Sequence, residues 1–161
     1  MIRVRSPRLI ERGVDRLSRN ESPKPVQLAR AGESVLEVEE PDLVIYRLGG
    51  SVDGPHLRAL RRAEAEWSVG KTHLLALVDI SRMVSSTMDA RRASTEPGVG
   101  TRNRVIAVAG GNRYTQMLVD LTMRAVRLLT HSDTNVRFFG DEATARAWLY
   151  AQRAELMSKK D

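Results

Sequence analysis

Cysteine is absent from the 161-residue chain, which excludes disulfides, cysteine-ligated zinc and a cysteine nucleophile. There is no apolar run of about 18 residues, the length a membrane-spanning helix requires. Nor does a basic start lead into a short apolar stretch with a small-residue cleavage site, so no signal peptide is expected and the expected location is cytoplasmic. The three histidines, His56, His73 and His131, are scattered without ligand spacing. No H-E-x-x-H, G-x-x-x-x-G-K-[ST] or G-x-S-x-G pattern occurs, so neither a metal site nor a cofactor is expected. Lysine is scarce as well, with 4 against 22 arginines.

What is present reads as a globular protein: 42% hydrophobic and 29% charged residues, enough for one ordinary domain. The net charge of +6 is unevenly placed. Residues 1–30 carry eight basic and three acidic side chains, so the remainder is nearly neutral. A neutral body argues against a nucleic-acid-binding fold. Pro7, Gly13, Pro23 and Pro25 punctuate the start, and residues 1–33 read as a basic arm and linker. Within the arm, Ile10, Val14 and Leu17 share a helical face, with arginines on the other, a pattern suited to an anionic membrane surface. The plainer reading is a solubilising tail. Residues 34–157 form the expected domain and 158–161 a tail.

Hydrophobic periodicity divides the domain. Ser34–Glu40 alternates, with Leu36 and Val38 on one face and Glu37 and Glu39 on the other. After Pro41-Asp42 a second strand, Leu43–Leu48, completes a hairpin that Gly49-Gly50-Ser51 ends. Asp53 caps a helix reaching about Trp67. The run LLALVDI from Leu74 and the run Val105–Ala109 read as strands buried on both faces. Thr87–Thr95 reads as a short helix, and Asn112 starts a long one to about Thr130. Val136–Phe139 is the last strand, and Asp141 caps a closing helix with Ala145, Trp148, Leu149 and Leu156 inward. The expected fold is α/β, a single mixed, mainly parallel sheet of about five strands with an N-terminal antiparallel hairpin, in the order ββαβαβαβα.

Three features are candidates for function. Asp79 ends a buried strand with Ser81 close behind; such carboxylates face the ligand crevice in many α/β sheets, or simply cap a turn. Ser85, Ser86 and Thr87 precede a helix. Ser86 with Asp89 three residues on resembles a capping box, and a phosphate on a hydroxyl there would be favoured by the helix terminus and by Arg82, Arg91 and Arg92. Val119, Met123 and Val126 form a second apolar stripe on the long helix, either buried or an interaction surface for a partner, a second copy or an apolar ligand. No acid–base pair or nucleophile set can be assembled, so an enzyme is not expected.

The segment LLALVDISRMVSSTMDARRA, Leu74–Ala93, resembles the strand–loop–helix of STAS domains, the anti-sigma-factor antagonists. With the strand VIAVAGG at Val105–Gly111 and the closing Phe138-Phe139 … Trp148-Leu149, the order is similar to a STAS-like bacterial subfamily also compared with CRAL-TRIO lipid carriers. The resemblance spans about Ser34 to Leu156. It implies a non-catalytic, regulatory protein-interaction module with a protein partner, switched at the Ser85-Ser86-Thr87 helix start. The alternative it implies is a binder or sensor of a small apolar, lipid-like ligand. The chain departs from the antagonists' Asp-Ser-Ser-Gly pattern, having Val84 before the serines and Thr87 after them.

Overall fold

The computed structural model describes residues 24–96, 103–113, 116–117 and 135–158. Six strands make one sheet, in spatial order β1-β2-β3-β4-β5-β6. They are β1 (Val26–Ala31), β2 (Ser34–Glu39), β3 (Leu43–Val52), β4 (Leu74–Ser86), β5 (Arg104–Ala109) and β6 (Asn135–Phe139). The first three pair antiparallel, and β3 through β6 pair parallel. Helix α1 (Gly54–Trp67) links β3 to β4, α2 (Met88–Thr95) follows β4, and α3 (Glu142–Ser158) follows β6.

The α/β class, the mainly parallel sheet and the antiparallel start are as the sequence implies. Among the described residues the strands number six instead of about five, because the expected linker before Ser34 contains β1. Its signal is weak for physical reasons. It is an edge strand, with Val26 65% exposed, and a bulge between Gln27 and Ala29 interrupts the two-residue alternation. A two-residue turn joins Ala31 to Ser34, and Gly32 takes φ +59, which a side chain would disfavour. The arm before residue 24, most of the helix expected over 113–130 with its stripe Val119, Met123 and Val126, and residues 159–161 lie outside the described residues.

The central strands are covered on both faces, which is why they read as continuous apolar runs. On one face Val44, Tyr46, Ala76, Ile80 and Val108 pack with Leu57 and Leu60 of α1 and with Ala90 and Ala93 of α2. On the other, Leu43, Ile45, Leu75, Leu77, Val105 and Ala107 pack with Ala145 and Leu149 of α3. Helix α1 begins where Asp53 Oδ1 accepts the His56 N–H at 2.8 Å, and it ends at Ser68. Leu57 and Leu60 on its inner side are buried, and so is Glu64. Its carboxylate accepts the Tyr46 hydroxyl and pairs with Arg104 at 2.9 Å. Burial, reinforced by the Glu64 charge, pushes the Tyr46 phenol well above its ordinary range.

Leu77 is fully buried at the centre of the sheet. Leu77→Ala should cost about 3 kcal/mol in urea unfolding, whereas Val26→Lys on the open edge should stay within about 0.5 kcal/mol of the parent.

Candidate functional site

The hydroxyl segment folds differently from its sequence reading. β4 does not end near Ile80; it continues to Ser86, paired with Gly49–Val52 of β3. β3 correspondingly runs past the Gly49-Gly50-Ser51 stretch that was expected to end it. The ladder to β5 stops at Asp79↔Ala109, so this outer part of β3 and β4 is a two-stranded ribbon projecting beyond the parallel sheet. Its register is uneven. Arg47 pairs with Asp79 and Gly49 with Arg82, and later Gly50 pairs with Met83 and Ser51 with Ser85. β4 therefore carries an extra residue twice, and Val84 has no residue opposite it. Such bulges kink a strand and re-aim its side chains. Here Val84 is 84% exposed while Met83 still packs on the α1–α2 core.

The helix start is corrected by one residue. Thr87, not Ser86, caps α2: its backbone is extended and its Oγ1 accepts the Ala90 N–H at 3.1 Å. No Ser86–Asp89 capping box forms, because Ser86 still belongs to the β4 ladder. Asp89 instead makes a two-pronged bridge to Arg58 of α1 at 2.8 and 2.9 Å, and Glu96 joins the same guanidinium. Arg58 holds both the Asp89 and Glu96 carboxyls below their usual range. Ser85 donates to Ser51 Oγ at 2.9 Å. Ser81, Ser85 and Thr87 are exposed, as are Arg82, Arg91 and Arg92, whereas Ser86 is half-buried. Met88, directly after the cap, is 72% exposed.

Asp79 and Ser81 are separated from this tip by the length of the ribbon, about 16 Å from Ser81 to Ser86 at the strand repeat. Asp79 Oδ1 accepts the Ser81 N–H at 2.9 Å, and Oδ2 lies 3.3 Å from Arg47. The strand order runs without reversal from β1 to β6, so the sheet has no switch point of the kind that opens a crevice beside such a carboxylate. Of the expected site residues, the structure groups Ser85, Ser86 and Thr87 at the ribbon tip and leaves Asp79 and Ser81 at its base.

Sequence reasoning missed the charged seam under α3. Arg47 bonds Glu37 at 2.7 Å and grips Glu142 at 2.7 and 3.2 Å. Glu142 bonds Arg146 at 2.8 Å, and Arg146 bonds Glu39 at 2.6 Å. Farther along α3, Arg153 bridges to Asp42, which His73 Nε2 also meets at 2.7 Å. The alternation on β2 sets Glu37 and Glu39 on the face opposite Leu36 and Val38; that face lies under α3, and Glu39 is buried. The available signal was the spacing of Glu142, Arg146 and Arg153 along the same side of α3 as Leu149. Hydrogen bonds from Arg47 and then Arg146 pull the Glu142 carboxyl from 4.5 to about 2, against the burial that opposes its charge.

Because its folded value lies below the unfolded one, Glu142 contributes fully above about pH 4.5, and that contribution is lost as pH falls toward 2. Glu142→Gln should therefore lower stability by about 1–2 kcal/mol at pH 7, the side chain being partly exposed, with the difference shrinking toward pH 2 in acid-titrated thermal unfolding. Thr87→Ala should cost about 1 kcal/mol in urea unfolding, and Ser86→Ala less than about 0.5 kcal/mol, the reverse of what a Ser86 cap requires.

No protein-family model and no curated protein matches the chain. Among solved structures it is similar to an uncharacterized protein of the DUF3478 family with a SpoIIAA-like fold from Shewanella loihica PV-4. The identity is 19%, the match covers 72% of this chain and 91% of that one, and the TM-score is 0.53. At that identity the likeness concerns the backbone arrangement. The hairpin start, the parallel strands and the closing helix place the chain in the SpoIIAA-like fold, the fold of the STAS domains and anti-sigma-factor antagonists.

Proposed function

We propose that the chain is a non-catalytic STAS-like regulatory module whose protein partner docks on the outer β3–β4 ribbon and the start of α2. The observation that carries this reading is the bulged ribbon tip, where Val84 and Met88 stand 84% and 72% exposed on either side of Ser85, Ser86 and Thr87. Apolar side chains held out by a bulge and a helix start are suited to burial by another surface. A phosphate on Ser85 or Thr87 would place nearly two negative charges in the middle of that surface, giving the contact a switch. A binding role is also favoured by the state of Asp79. The carboxylate that the strand end offers for chemistry is already engaged by Arg47 and by the Ser81 N–H.

A photo-crosslinking amino acid at position 84 of the full chain, expressed in its own host, should repeatedly capture one protein. Capture should be lost in Met88→Asp, with the melting temperature moved by less than about 2 °C. The control position is Val69, 81% exposed in the turn before β4, at the opposite end of that strand. Equal capture from positions 69 and 84 would remove the basis for the proposal.

A further inference from the structure

The ribbon has two edges, and they differ. On the β3 side the β1–β2 turn closes it. Ser34 Oγ accepts the Gly49 N–H at 3.2 Å, and a Cβ at Gly49 would meet the Glu33 carbonyl at 2.9 Å. On the β4 side, Arg82–Ser86 pairs only with β3 among the described residues, since β5 ends opposite Asp79. Arg82, Val84 and Ser85 are exposed there. Backbone groups on such an edge form a template for another strand.

We infer that this outer edge of β4 accepts an extended acidic peptide segment as an added β-strand. The inference rests on the partner-docking reading above and specifies the partner's chemistry and its mode of attachment.

The charge of the occupant follows from what lines the edge. The Thr87 N–H points to β3, where it donates to the Val52 carbonyl at 3.0 Å. In a trans peptide the Ser86 carbonyl must then point the other way, to the open side. Arg91 reaches that carbonyl, with Nη2 at 3.4 Å, so a guanidinium stands at the outer end of the edge. Arg82 begins the edge and is exposed, and Arg92 is exposed beside Arg91 on α2. The nearby carboxylates are committed elsewhere. Asp89 and Glu96 bind Arg58 toward α1, Asp53 caps α1, and Glu33 lies on the β3 side. Among the described residues, the open side therefore presents backbone with no partner strand, one exposed valine and an excess of arginine. Strand addition uses the first through main-chain hydrogen bonds, and alternating side chains of the incoming segment meet the other two. Arg82–Ser86 spans about 13 Å, room for four or five residues of a new strand.

The test uses the full chain and a fluorescein-labelled heptapeptide of alternating glutamate and valine. Fluorescence anisotropy should show saturable binding that weakens with salt, and amide exchange should slow at residues 82–86 but not at residues 69–71. The same peptide with alternate backbone amides methylated should bind at least about tenfold more weakly, as should the lysine–valine version and the variant Arg82→Glu/Arg91→Glu. No binding, or equal binding by the methylated peptide, would overturn strand addition. Equal binding by an eight-nucleotide oligothymidine would reduce the effect to bare anion attraction and overturn it too. If the peptides fail while position 84 still captures its partner, strand addition falls and the docking reading stands; loss of both removes both.

Discussion

The parallel pairing of β3 with β4 is the constraint on which the rest of this molecule depends. It runs from Leu43↔Leu75 to Val52↔Ser86, well past the limits of the strands on either side. Its inner half supplies Ile45 and Leu77 to the core beneath α3, and Val44 and Ala76 to the core beneath α1 and α2. Its outer half, with no β5 beside it, becomes the ribbon that carries the exposed hydroxyls and Val84. One pairing thus holds the two layers together and presents the surface where contact is proposed. The bulges lie in the outer half, which still gives Leu48, Val52 and Ile80 to the core beneath α1 and α2.

The second organising feature is ionic. α3 meets the sheet through Ala145 and Leu149 in the middle and through Glu142, Arg146 and Arg153 toward β2 and the start of β3. Buried ion pairs contribute little net stability relative to apolar packing, because desolvation offsets their attraction. Their larger effect is on placement. A helix lying across a sheet on apolar contacts alone can slide, whereas Arg146 satisfies Glu39 and Glu142 together in one position only. Removing one partner would leave a charge without compensation in a half-dry setting, which is costly. The same seam reaches Asp79 through Arg47, so the base of the ribbon and the first turn of α3 share a guanidinium.

Much of this was legible in the chain itself. The apolar runs Leu74–Ile80 and Val105–Ala109 are long enough, and flanked by enough turn residues, to be strands covered on both faces. Asp53 with Pro55, and Asp141 before an amphipathic stretch, mark helix starts through local hydrogen bonding that does not depend on distant residues. The hairpin of Ser34–Leu48 follows from alternation. β1 was not legible, since an exposed, bulged edge strand has almost no periodic signal. The extension of β4 was hidden for a related reason: Ser81, Arg82, Ser85 and Ser86 look like a loop, and only the partner strand makes them a ribbon.

The sequence by itself determined the layer class, the central strands and the helix starts at Asp53 and Asp141, because these arise from backbone preferences and from apolar spacing within a few residues. Only the tertiary structure decided that Glu37 and Glu39 face a helix rather than water. It likewise decided that Thr87 is the cap instead of Ser86, that Asp79 is engaged by Arg47, and that the ladder between β4 and β5 stops at Asp79. Each of these is set by a residue far away in the chain, and an amino-acid string carries no local mark of which distant group will arrive beside it.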